Sequence, residues 1–378
     1  VILIIMGVIA AIAAMQVAGG LDYLVHIAAK ILKSNPKYIT FLAPLVTYTM
    51  TMFAGTGHTA FSTLPVIAEV AKREGIRPSR PLSIATVGAQ IGITASPISA
   101  AVVFFSSELE KYGVDYVQLL MIAIPSSFIA VMLGAFIANF LGKELKDDPV
   151  YQDRLAKGLI SMDSVDDQQM EITPEAKRAV MIFGISIFAV VSYAMAISST
   201  FNLIENPILE RDHAIITFML GAATLITLFC KVDAKNILNA ATFKSGMSAC
   251  ICVLGVAWLG TTFVAAHMEE INVCAGALLT KYPWMLAVVL FFAAMLLYSQ
   301  AATTKALMPA ALALGVSPVA AIAAFASVSA LFILPTYPTL LAAVEFDDTG
   351  STRVGKYVFD HPFLIPGVCT ITFAVALG

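Results

Sequence analysis

Residues 50–65 read MTMFAGTGHTAFSTLP: two glycines and a group of hydroxyls interrupt an apolar run, which then resumes. Inside lipid, an unwound stretch leaves backbone N–H and C=O groups unpaired, which is tolerated only where they face protein, water or a ligand. A helix broken in this way is a candidate binding site. The second half of the chain carries a counterpart at residues 299–309, SQAATTKALMP, with Pro309 in the place of Pro65. One such interruption in each half is the pattern of a transporter built from repeated halves.

Composition supports a polytopic membrane protein. Hydrophobic residues make up 59% and charged residues 12% of the chain, against roughly half and a quarter in soluble domains. Apolar stretches fall at 1–20, 38–54, 82–105, 117–141, 179–200, 213–230, 246–266, 284–300, 318–334 and 363–378. Most approach the roughly 20 residues that span a bilayer. A net charge of −3 gives no reason to expect nucleic acid. Val1 opens inside an apolar run with no basic region and no cleavage site, so no signal peptide is read there and the chain is expected to begin inside a longer protein. Of five cysteines, Cys250 and Cys252 diverge on a helix, so neither a metal site nor a disulfide framework is expected.

The arm from Ala60 to Lys72 would be about 20 Å of helix, too short for a hydrocarbon core of about 30 Å. Residues 38–72 are therefore read as a re-entrant hairpin, and 284–314 as its counterpart. The helix at 82–105 is interrupted at 94–99, where Ser96 is placed to cap and Pro97 to begin a new half-helix. The PTYPT string at 335–339 answers that break, and 315–318 answers 75–78. These correspondences divide the chain into a first repeat at 1–141, truncated at its N-terminus by two helices, a polar connecting loop at 142–178, and a second repeat at 179–378. Threading the helices puts loops 21–37, 72–80, 142–178, 231–245 and 345–361 on one face with 18 of the Lys and Arg residues, leaving only Lys111, Arg211 and Lys281 opposite. The basic face is then cytoplasmic, the C-terminus periplasmic and the repeats inverted. The fold class expected is all-α, with two inverted repeats, re-entrant hairpins and broken helices.

The polar residues at the four breaks suit an anion. Thr56, Gly57, His58, Thr59, Thr94, Ser96, Ser99, Thr303, Thr304, Lys305, Thr336, Tyr337 and Thr339 are the expected substrate-binding set, because half-helix N-termini add free N–H groups and positive dipole ends. For a single Ser or Thr, the plainer account is a bond to its own helix's carbonyl. Arg80 is the expected capture residue for a dianion, while Lys72, Arg73 and Arg77 also satisfy the charge rule. Glu69 and Arg73 are spaced for a local ion pair. A membrane hydrolase is disfavoured, since no GxSxG or HExxH string occurs. A cation/proton antiporter is the alternative of the same architecture, but it needs a carboxylate near the midplane, and none lies well inside a spanning segment.

The strings GTGHTAFSTLPVIAEVAKREGIRP, QIGITASPISAAVV, LLYSQAATTKALMPAALAL and LFILPTYPTLLAAVEFDDTGSTRVGK resemble the anaerobic C4-dicarboxylate (Dcu) transporters, closest to the DcuA type, and the likeness runs along the whole chain. The resemblance implies a multi-pass carrier of the bacterial inner membrane that takes up fumarate, malate or aspartate, commonly by antiport with succinate. It also implies kinship with the ion-transporter superfamily, whose members use paired hairpins in an elevator-like motion. The hairpin tips lack the Ser-Asn-Thr string of many sodium-coupled relatives, so the coupling ion, Na+ or H+, stays open. No cofactor or metal is expected. A homo-oligomer and, by the resemblance, a sensor-kinase partner stand as further partner expectations beside the dicarboxylates and the lipid bilayer.

Overall fold

The computed structural model describes residues 2–160, 172–197, 203, 204, 206–240 and 281–378, with seven further residues between 241 and 280. The expected helix at 246–266, with Cys250 and Cys252, and Cys274 beyond it fall largely outside the described residues. Those described form helices and turns and no strand.

The described residues pack into two bodies. In the first, α1 (Ile2–Val17), α9 (Pro174–Ile197) and α10 (Arg211–Phe229) lie along one another around Val8, Met15, Phe183, Ile187 and Met219. Residues 21–37, expected as a loop, instead continue from α1 at a 72° bend as α2 (Gly20–Ser34). Leu21, Val25, Ala28 and Leu32 recur at helical spacing, so the segment has an apolar face to bury while its lysines face outward. It packs on α9 and on the second body.

The second body begins with α3 (Ile39–Ala54), which ends at Gly55 in the left-handed conformation (φ 66°) that favours glycine. A short turn at Gly57–Ser62 leads into α4 (Leu64–Arg73), α5 (Ser79–Ile91), α6 (Ala100–Glu110) and α7 (Tyr116–Asn139). Asp115 and Gln118 close a reciprocal cap at the start of α7. The break between α5 and α6 differs from expectation. Ser99, not Ser96, accepts the Val102 amide and caps α6, and the helix begins at Ala100 rather than Pro97. The Pro97 carbonyl is held instead by the Tyr116 hydroxyl at 2.5 Å.

Beyond α8 (Pro149–Ala156) and α11 (Ala234–Asn239), the chain enters α12 (Met285–Leu297), α13 (Gln300–Ala313), α14 (Pro318–Ala324) with its Phe325–Ser329 extension, α15 (Pro338–Phe346) and α16 (Leu364–Leu377). Here too the break moves. It falls at Tyr298-Ser299, and residues 300–305, expected unwound, are helical because Ser299 caps them and the alanines favour helix.

The packing of the second body is reciprocal. Helix α4 lies against α15, and α13 lies against α6. Likewise α3 runs along α5, while α12 runs along α14 and its extension, and α7 crosses α16. That last crossing is close, since a Cβ on Gly134 would meet the Thr370 hydroxyl at 2.0 Å. Tyr116–Asn139, Pro174–Ile197 and Asp212–Phe229 are long and apolar enough to cross a membrane.

Candidate functional site

The C-terminal end of α5 is where the interruptions meet. Its Gln90 carbonyl accepts from Gln300 Nε2 (3.3 Å), at the tip of the second hairpin, and from Ser329 Oγ (3.1 Å), just before the second helix break. A Cβ on Gly57, in the tip of the first hairpin, would lie 3.4 Å from the Ala89 carbonyl. The first helix break, residues 92–99, follows directly. Both tips and both breaks are thus anchored within a turn or two of one another.

At the first tip, the Thr59 hydroxyl donates to the Thr56 carbonyl (3.2 Å) and lies 3.3 Å from that of Thr51. The side chain of His58 lies outside the described part of the structure. At the first break, Ser96 donates to the Met52 carbonyl (2.7 Å), tying break to hairpin, and Ser99 donates to the Ile93 carbonyl (2.8 Å). Thr94 donates to Ile91 (2.8 Å) in its own helix. Across the centre, Thr303 and Thr304 do the same, to Ser299 and Gln300 at 2.8 and 2.6 Å. A hydroxyl has one proton, so these groups keep only acceptor lone pairs, which a carboxylate cannot use.

The donors left for an anion are fewer and more specific. Thr339, buried at the start of α15, has a hydroxyl with no partner among the described residues, and so do Ser327 and both ends of the Gln90 amide. Ser327, Ser329 and Tyr298 were not singled out from sequence, where nothing separates them from other helix residues. Tyr298 ends α12 at φ 51°, stacks on Tyr337 with ring centroids 6.1 Å apart, and hydrogen-bonds the Thr336 hydroxyl. Lys305 is 1% exposed, and its Nζ lies 5.8 Å from the centre of the Phe104 ring on α6, a geometry in which the ring face stabilises the cation.

Arg80 is not brought to this centre. It starts α5, ten residues before Gln90 and so about 15 Å away along the helix. Its guanidinium donates to the Leu141 and Gly142 carbonyls at 2.8 and 3.1 Å and to Glu144 at 3.0 Å. Arg77 pairs with buried Asp148 at 2.5 Å. Residues 142–160, expected as open loop, are therefore strapped to the second body. Burial pushes the Asp148 carboxyl up, but the Val150 amide, Arg77 and Arg353 outweigh that and hold it below its ordinary value. Glu69 and Arg73 form the expected local pair at 2.5 Å.

Residues 1–378 match, end to end, the family described as anaerobic C4-dicarboxylate membrane transporter. The chain is similar to a C4-dicarboxylate transporter DcuA of Wolinella succinogenes, 65% identical over the whole chain and 87% of that relative. It is similar to DcuA of Escherichia coli K12 at 58% identity with the same coverage, and to an anaerobic C4-dicarboxylate transporter DcuB of Escherichia coli at 36%, covering 86% of it.

Proposed function

Because the chain belongs to the anaerobic C4-dicarboxylate membrane transporter family, and is thus a multi-pass membrane transporter and not an enzyme, we propose that it carries fumarate, malate, aspartate and succinate across the bacterial inner membrane, mostly by exchange with succinate. The observation that carries this reading is the convergence of both hairpin tips and both helix breaks on the end of α5. A dianion there meets the N-terminal ends of α6, α13 and α15, whose first-turn amides, Pro338 excepted because it has no N–H, lack acceptors within their own helix. Lys305 supplies a positive charge, and Thr339 and Gln90 supply side-chain donors. Thr56, Gly57, Thr59, Thr94, Ser96, Ser99, Thr303, Thr304, Thr336 and Tyr337 shape the site around them, with His58 on the first tip. Arg80 acts at the mouth, capturing the dianion through its field.

The reciprocal packing supports two inverted repeats, α3–α7 and α12–α16, each lending the other a half-helix. In this account the second body moves as a unit against the bundle of α1, α9 and α10, in an elevator-like alternation. Loops 72–80 and 142–178 face the cytoplasm. Proteoliposomes test the function: with succinate inside, labelled fumarate or aspartate enters far faster than into empty vesicles. Sodium–proton exchange without any dicarboxylate flux would overturn the reading in favour of an antiporter.

A further inference from the structure

A cavity of about 340 Å³ opens beside the N-terminal end of α5, lined by Arg77, Arg80, Arg353, Ser351, Asp360 and His361 among others. Its volume lies at the lower end of small-molecule sites, about 300–1,000 Å³. The guanidinium donors here are only partly used. Arg80 uses Nε and Nη2 on Leu141, Gly142 and Glu144, and Nη1 has no acceptor among the described residues. Arg353 uses Nη1 on Gly350 and Asp148, and its Nε and Nη2 likewise have none. Glu144 is 56% exposed, so its pairing with Arg80 is screened and readily exchanged for another oxyanion. Asp360 is the one carboxylate in the lining against three guanidiniums.

The cavity also has a buried wall. His361, 8% exposed, meets the Ile333 carbonyl through Nε2 at 3.1 Å, inside the unwound stretch before α15. Its Nδ1 has no partner among the described residues.

We propose that this cavity is a second anion site, separate from the one at the breaks, which takes a small oxyanion through its carboxylate or phosphate group on Arg80 Nη1 and Arg353. Its place beside the strapped 142–148 segment makes it a waiting site on the face read as cytoplasmic, and that assignment rests on the threading above. The shared ligand chemistry has two sources, a C4-dicarboxylate and free phosphate.

The test uses the full-length protein in neutral-lipid nanodiscs, with labelled succinate and labelled phosphate titrated in turn. If the dicarboxylate is the ligand, succinate fills two sites in the parent. Arg353→Gln then weakens one of them roughly tenfold or more, leaves the other unchanged and preserves exchange at saturating substrate. If phosphate is the ligand, succinate fills one site, and phosphate binding is weakened to the same degree by Arg353→Gln. Binding of both anions unaltered by Arg353→Gln overturns the proposal. Arg353 is half-exposed, and Arg77 still pairs with Asp148 when it is changed; Arg80→Gln is the second variant, read by equilibrium binding alone because Arg80 also acts in capture, and it weakens the same site. Loss of all succinate binding in the parent, with phosphate binding still sensitive to Arg353, would count against the transport reading alone.

Discussion

Thr339 and Thr303 show how far a residue's type falls short of its role. Both are fully buried threonines beside a break, yet Thr303 donates its proton to Ser299, while the Thr339 proton has no acceptor among the described residues. A lost hydrogen bond to a charged group costs about 1.5–3 kcal/mol. Thr339→Ala is therefore expected to weaken apparent dicarboxylate affinity roughly ten- to a hundredfold in uptake assays, whereas Thr303→Ala and Thr94→Ala shift it only a few-fold. Equal losses in all three would refute the distinction. Lys305→Gln is expected to abolish exchange of dianionic fumarate, and Lys305→Arg to keep part of it with altered affinity, since a guanidinium retains charge but not shape; full activity in the Gln variant would remove Lys305 from the site. The sequence shows which residues are hydroxylic, but the direction of each donated proton depends on backbone positions three, four or forty residues away, as in Ser96 reaching Met52.

At the scale of elements, the strap around Asp148 is the part least visible beforehand. A polar 142–178 segment looked like a solvated linker, but Asp148 is 3% exposed in its side chain and holds Arg77 and Arg353. Removing one partner of a buried pair typically costs about 3–5 kcal/mol, so Asp148→Ala is expected to lower the unfolding temperature markedly, and a variant as stable as the parent would show the strap to be incidental. Because the folded-state value of Asp148 lies below its ordinary 3.8, its contribution is fully present above that value and is lost as pH falls through the lower one. Melting of the parent should therefore steepen only below about pH 4, and Asp148→Ala should flatten that acid limb. The helix interruptions near 55–62, 92–99, 298–299 and 330–337 were legible because glycine, proline and hydroxyl clusters mark where a helix cannot continue. Their exact limits were not. Ser99 wins the cap over Ser96, and Ser299 with its alanines extends α13 back to Gln300. The α2 helix was missed because its lysines drew it into the loop count, although its apolar spacing was present.

For the whole molecule, the packing of α4 on α15 and of α13 on α6 is what two repeated halves would produce, since equivalent sequences find equivalent partners. What the sequence left out is the bundle of α1, α9 and α10, whose apolar faces carry no signal of which body they join. The inverted threading has its own check: in a cysteine-free background, an impermeant thiol reagent on intact cells should label Lys111→Cys and spare Lys157→Cys, and the reverse would overturn the orientation. The most direct measurement is a density map of the full-length protein with saturating succinate. Density for one C4 dianion is expected at the end of α5, within hydrogen-bond reach of Thr339 and of the first-turn amides of α13 or α15. Succinate found instead only in the cavity of about 560 Å³ lined by Asp22, Glu175, Lys231 and Asp233, or at the α5 end with no contact to either break, would contradict it.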